Sequence, residues 1–161
     1  MPRLVITSLL WFGAMGCGLA AGLYFAFSAF VMTALGRIEQ AQGISAMNSI
    51  SSTILQSPFM PLFYSTTLVS LALAIIGLVR RGEPGAMPML AGGLIYVVGM
   101  FLCTIVFNVP LNNALAVVDP ASGAAAPVWA RYLKDWTLWN HVRTISSTAA
   151  TALYIAALVA R

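Results

Sequence analysis

Charge is what this sequence has least of. Of its 161 residues, eight are Lys or Arg, four are Asp or Glu and one is His, so 7% are charged against 60% apolar. A soluble domain carries roughly a quarter of its residues as charge, so this composition cannot cover a water-facing surface. The basic residues stand singly or as the pair Arg80-Arg81. With no basic stripe and no aromatics interleaved with cations, no nucleic-acid partner is expected. The two cysteines, Cys17 and Cys103, lie inside apolar stretches with no CxxC motif, where they read as small buried hydrophobes and not as a disulfide or redox pair. One histidine and four separated acids cannot supply a standard metal site or a bis-histidine haem within one chain, so no metal and no other cofactor is expected. The acids Glu39, Glu83, Asp119 and Asp135 fall in or beside polar segments. Proton-coupled transport therefore lacks its usual intramembrane carboxylate.

What the chain does have is long apolar runs. Residues 4–35 contain no charge over 32 positions, about 48 Å as a helix against a hydrocarbon core of ~30 Å. That length exceeds the ~7–15 apolar residues of a cleavable signal and predicts an uncleaved first transmembrane helix that tilts, kinks or projects. Ala14, Gly18, Gly22 and Ala26 recur every fourth residue along it, a stripe that permits close helix approach, here including homo-oligomer contact through the Gly18/Gly22 face. Tyr24, Phe25, Phe27 and Phe30 form an aromatic band near its far end. In the next, polar segment, Ile44, Met47, Ile50 and Ile54 are spaced three and four apart, which predicts a short amphipathic helix on the membrane or capping the bundle. Apolar runs at 58–79, 86–107 and 136–160 supply three more spans. The third is expected to end where Pro110 and the amides of Asn108, Asn112 and Asn113 interrupt it. A second loop over 114–135 would come next, with a helical lead-in from Val128.

The expected fold is therefore all-α: an integral membrane four-helix bundle, one domain over 1–161, with a short amphipathic helix in the first long loop. Arg3, Arg80, Arg81 and Arg161 lie on the side of the termini, against Arg37, Arg131 and Lys134 in the opposite loops. That balance points to cytoplasmic termini, and a bacterial inner membrane is the expected location.

The fourth span breaks its own rule. It opens as WTLWNHVRT and carries the only histidine, His141, beside Asn140 and Arg143. At 100° per residue, Thr137, Asn140, His141, Arg143, Thr144, Ser147, Thr148 and Thr151 share slightly less than half the circumference. A lipid-facing helix would not gather these groups, so the face should point into the bundle, where costly polar groups mark function. Topology brings Asn108 and Asn112 to the same membrane depth. Histidine is the residue type that moves protons near neutral pH, and a fixed guanidinium can stabilise an enolate or phenolate. The amides of Asn108, Asn112 and Asn140 could bind substrate oxygens, and Trp136, Trp139 and Tyr24 could line an aromatic slot. Equally open is a non-enzymatic module, in which His141 and Arg143 bind a lipid or quinone headgroup or an assembly partner.

The segments GLYFAFSAFVMTAL, MNSISSTILQSPF, NVPLNNAL and WTLWNHVRT, in this order over nearly the whole chain, resemble the anthrone oxygenase-like family of small integral membrane proteins. The resemblance implies a four-helix membrane bundle and a cofactor-independent monooxygenase acting on a small lipophilic aromatic molecule, a polycyclic phenol or anthrone. On that reading His141 removes a proton from a CH₂ between aromatic rings, Arg143 holds the resulting anion, and O₂ reacts with it directly.

Overall fold

The computed structural model describes residues 3–161, and all the regular structure among them is helical. Four helices are long and apolar enough to cross a membrane: α1 (Arg3–Leu35), α3 (Phe59–Val79), α4 (Ala86–Ala116) and α5 (Ala125–Val159). The shorter α2 (Gln40–Ile54) lies between the first two spans. The spans alternate in direction and form a closed ring of contacts, α1 against α3, α3 against α4, α4 against α5 and α5 back against α1. Leu19, Leu68, Ile75, Val98 and Ile145 face outward, as an apolar belt against lipid requires. Buried within are Thr66, Ser70, Asn108, Asn140, Arg143 and Ser147. In lipid an outward apolar side chain gains as much as an inward one, so polar side chains and close packing decide which face turns in.

Glycine sets how closely these helices approach. A Cβ on Gly93 would strike the backbone carbonyl of Ser70 and the side chain of Ala74, and one on Gly16 would overlap the Thr66 hydroxyl. The small-residue stripe of α1 divides in its use. Gly18 sits against Thr151 of the same chain, whereas nothing lies within 4 Å of a Cβ built on Gly22. Between α3 and α4 the chain turns at Gly85, whose φ of 79° suits glycine. The Arg3 guanidinium donates to the Arg161 carbonyl and ties the two termini together.

Two sequence expectations need correction. The third span does not stop at Phe107. It continues through Pro110 to Ala116: a π-helical turn at Val97–Leu102 is followed by a second at Thr104–Asn108, which ends just before the proline. Such wider turns accommodate a ring that would crowd the carbonyl four residues back in a regular helix. The expected second loop is likewise mostly helix. Only 117–124 separate α4 from α5, and α5 runs unbroken for 35 residues. At 1.5 Å per residue α5 is about 52 Å long, so its early turns project beyond the hydrocarbon.

The amphipathic helix caps the bundle. Glu39 accepts hydrogen bonds from the backbone of Ala41 (3.1 Å) and Gln42 (3.3 Å), starting α2. The apolar face of α2 buries Ile44 and Met47 with Met32, Leu115, Trp129 and Trp136. Gly43 packs where a Cβ would meet the Trp129 ring at 3.0 Å.

Replacement of Gly93 by leucine should lower the thermal unfolding midpoint in detergent, since overpacking costs about 1–3 kcal/mol. Gly22→Leu should leave the midpoint close to that of the unmodified protein. Equal loss in both variants would show that the packing order is wrong.

Candidate functional site

All five helices meet around a cavity of about 380 Å³ at the end of the bundle that α2 covers. From α1 come Leu23, Tyr24 and Phe27, and from α3 Phe59, Met60, Phe63 and Tyr64. The inner face of α2 adds Met47, Asn48, Ile50, Ser51 and Ser52, while α4 adds Thr104, Ile105, Asn112 and Asn113. Trp136 and Arg143 reach it from α5. Two of the segments around it depart from regular helix, Phe27–Val31 in α1 and Thr104–Asn108 in α4. A π-helical turn inserts a residue and rotates the helix beyond it, a distortion frequent at functional sites.

Arg143 is the single charged residue among those lining the cavity, and it is 4% exposed. Its Nη2 donates to Asn140 Oδ1 at 2.7 Å. The guanidinium carbon lies 4.3 Å from the centre of the Tyr24 ring and 4.9 Å from that of Trp136. Its Nε finds no hydrogen-bond partner. The two ion pairs found among the described residues, Arg80–Glu83 and Arg131–Asp135, are elsewhere. A buried ion costs several kcal/mol of desolvation. Cation–π contacts return about 0.5–2 kcal/mol each. The site therefore holds a fixed cation, sandwiched and oriented, with spare donors and no counter-charge.

Asn140 does the orienting. Its Nδ2 donates to the Tyr24 carbonyl at 2.7 Å and to Ser28 Oγ at 2.8 Å, while its oxygen takes the Arg143 bond. Arg143 is the third residue after Asn140, close to one helical turn, so both lie on the same buried face. Asn112 is fixed from behind: the Tyr132 hydroxyl donates to Asn112 Oδ1 at 2.7 Å, which leaves the amide's own N–H groups for another acceptor.

The predicted residues thus divide. Tyr24, Asn112, Trp136 and Arg143 line the cavity, and Asn140 stands directly behind Arg143. Asn108 is buried, but it donates to the Trp136 carbonyl at 3.2 Å and joins α4 to α5 outside the lining. Trp139 stacks on Phe107, with centroids 3.7 Å apart and planes 6° from parallel, beside a separate outer groove. His141 is exposed and does not line the cavity. The expected convergence of His141 with Arg143 is therefore corrected: two residues along a helix is a 200° rotation. His141 falls at the edge of the polar arc, toward exposed Leu138 and Ile145. The aromatic band of α1 splits the same way, with Tyr24 buried, Phe27 lining the cavity, and Phe25 and Phe30 each 61% exposed.

Sequence reasoning did not assign the contribution of α2 and α3 to the lining. Asn48, Ser51 and Ser52 stand between the apolar positions of an amphipathic helix, and such a pattern does not say which polar residues flank a cavity. Phe59, Phe63 and Tyr64 are indistinguishable in sequence from lipid-facing aromatics. Among the described residues, no three His, Cys, Asp or Glu side chains come together.

Asn140→Leu should destabilise the protein by about 2–4 kcal/mol, because it strands the guanidinium donor and the Tyr24 carbonyl together. Chemical or thermal unfolding in detergent measures this. A change below about 0.5 kcal/mol, the range of ordinary surface substitutions, would show that the network does not hold Arg143.

No curated protein and no solved structure was found to match the chain. Residues 54–153, which run from the end of α2 through the WTLWNHVRT segment, match the sequence profile described as anthrone oxygenase. That match covers more than half of the chain and contains the α3, α4 and α5 walls of the cavity, and the protein belongs to the anthrone oxygenase family.

Proposed function

We propose that the cavity binds a lipophilic polycyclic phenol or anthrone and oxidises it with O₂, with Arg143 holding the substrate as its anion. The observation that carries this reading is the unpaired, buried guanidinium facing an aromatic-lined space. A flat apolar molecule satisfies the walls, and an oxyanion satisfies the cation.

The lining suits a definite chemistry. Loss of a proton from the CH₂ between two aromatic rings gives an aromatic anion with its charge on oxygen, where Arg143 and the free Asn112 amide can meet it. No lining residue is a carboxylate or an imidazole. The walls therefore make the substrate more acidic, and the proton passes to water. The electron-rich carbon gives one electron to O₂, and the radical pair combines to form a C–O bond, which on protonation is a hydroperoxide. That hydroperoxide loses its remaining C–H proton and hydroxide as water, leaving a second carbonyl. The balance is anthrone plus O₂ to anthraquinone plus water. The protein supplies orientation, a dry wall and a fixed charge.

On this reading Asn140 positions Arg143, and His141 has no part in proton removal. The face that carries Arg3, Arg80, Arg81 and Arg161 is taken as cytoplasmic, so the cavity belongs to the opposite leaflet. A second reading shares the observation: the guanidinium binds an anionic lipid headgroup or a quinone without turnover.

Purified protein supplied with an anthrone, monitored by O₂ uptake and quinone absorbance, separates these. Arg143→Met should lower the rate by about 10²-fold or more, the cost of removing an oxyanion donor. His141→Ala should stay close to the unmodified protein. Loss of activity in His141→Ala with retention in Arg143→Met would reverse the assignment. Absence of turnover with retained binding of the anthrone would favour the second reading.

A further inference from the structure

Below the cavity the bundle interior is unexpectedly polar. Thr66 and Ser70 on α3, Tyr96 on α4, and Ser147 and Tyr154 on α5 are each 0% exposed. The hydroxyl oxygen of every one of them lacks a hydrogen-bond partner among the described residues. Six other span hydroxyls behave differently. Ser65, Thr67, Thr104, Thr144, Thr148 and Thr151 all bond back to the carbonyl four residues earlier at 2.7–2.9 Å. That bond is open to any serine or threonine in a helix. Thr66, Ser70 and Ser147 forgo it and turn toward the bundle axis.

These groups are neighbours. Ser70 lies beside Cys17 and Tyr154, and Tyr96 beside Cys17, Tyr24 and Tyr154. Glycine makes the room: Gly16 admits the Thr66 hydroxyl, and the Tyr154 ring passes between Gly13 and Gly92, where added Cβ atoms would lie 3.0 and 2.9 Å from it. On α5 the buried face reads Arg143, Ser147, Tyr154 at intervals of four and seven, a polar ladder descending about 16 Å from the cavity. An unsatisfied hydroxyl in a dry interior costs about 1–3 kcal/mol; Ser70 is close enough to serve Cys17 and Tyr154, while Thr66, Tyr96 and Ser147 are left needing a partner. Water is the group that can donate and accept among several hydroxyls at once, and buried waters typically make about three such bonds.

We propose that this core is a water-binding column that joins the Arg143 cavity to the bundle interior and carries the substrate's proton away from the apolar walls. The outlet role rests on the anion-forming reading above; the column itself does not. Water bridges Ser147 to Thr66 and Ser70, and Tyr96 and Tyr154 extend the chain toward the face that bears the termini. No bond other than O–H is made or broken. A proton enters at the cavity end, each hydroxyl or water passes one on, and one leaves to solvent.

The column is tested without catalysis. In bilayer-embedded protein, solid-state NMR transfer of magnetisation from water should reach the Thr66, Ser70 and Ser147 side chains as fast as it reaches loop residues. Transfer as slow as that to neighbouring Leu73 and Ala74 would overturn the column. Thr66→Val, close to isosteric, should lower the thermal midpoint, because it removes a water ligand; a raised midpoint would indicate a dry core and overturn it as well. For the outlet, Ser147→Ala should reduce kcat several-fold with KM unchanged and enlarge the solvent deuterium isotope effect, and Ser147→Thr should restore both. An unchanged kcat would overturn the outlet. Failure of the unmodified protein to oxidise an anthrone would sink the anion-forming reading instead, and water transfer would still decide the column.

Discussion

The Arg143 guanidinium, gripped by the Asn140 carboxamide and unmatched by any counter-ion among the described residues, is the constraint on which the remaining structure depends. A cation placed in a membrane span must be hydrogen-bonded, hydrated or paired, or the span does not form. Here the hydrogen bond comes from one turn away on α5, and the ring faces of Tyr24 and Trp136 come from two helices. The same carboxamide also holds Tyr24 and Ser28 of α1. The α1–α5 contact and the orientation of the cation are thus one network. Moving either helix would expose the charge to hydrocarbon.

Around that network the bundle is arranged with polar groups inside and hydrocarbon outside. Gly16 admits the Thr66 side chain and Gly93 the Ser70 backbone carbonyl, so α1 and α4 both lie close against α3, and π-helical turns occur in α1 and α4 near the cavity. The α2 cap closes that end with a face that is apolar toward Trp129 and amide- and hydroxyl-bearing toward the cavity. The outcome is a space whose walls prefer flat hydrocarbon and whose one charge prefers an anion. Few molecules satisfy both, and an acidic polycyclic aromatic is among them.

Much of this was legible in the residues. Four spans and the amphipathic cap followed from apolar run length and from the spacing of Ile44, Met47 and Ile50. The inward face of the fourth span followed from its wheel, but only one side of the polar arc, with Asn140, Arg143 and Ser147, is buried. The wheel misled only at its margin. His141 and Thr148, seven residues apart at the edge of the arc, both proved exposed, because a polar arc half a circumference wide is broader than the buried stripe of one helix in a ring of four. Pro110 misled for a different reason: a proline marks a helix end in water, whereas in a membrane span the local backbone adjusts around it. The lining from α2 was hidden because sequence does not say what an amphipathic helix folds down upon. The unbonded state of Thr66, Ser70 and Ser147 was equally hidden, since only packing decides whether a hydroxyl bonds back to its own helix.

The claim at the centre is that a buried, unpaired guanidinium favours the anionic form of a bound aromatic acid. The most direct test is spectroscopic: the visible absorbance of a hydroxyanthraquinone that changes colour on ionisation, titrated with pH in the presence of the protein and in empty detergent micelles. A bound dye stabilised by Arg143 should ionise at a pH lower by about one unit or more, equivalent to about 1.4 kcal/mol, and Arg143→Met should abolish the difference. A bound dye that ionises at the micelle value or above, with Arg143 intact, would contradict it.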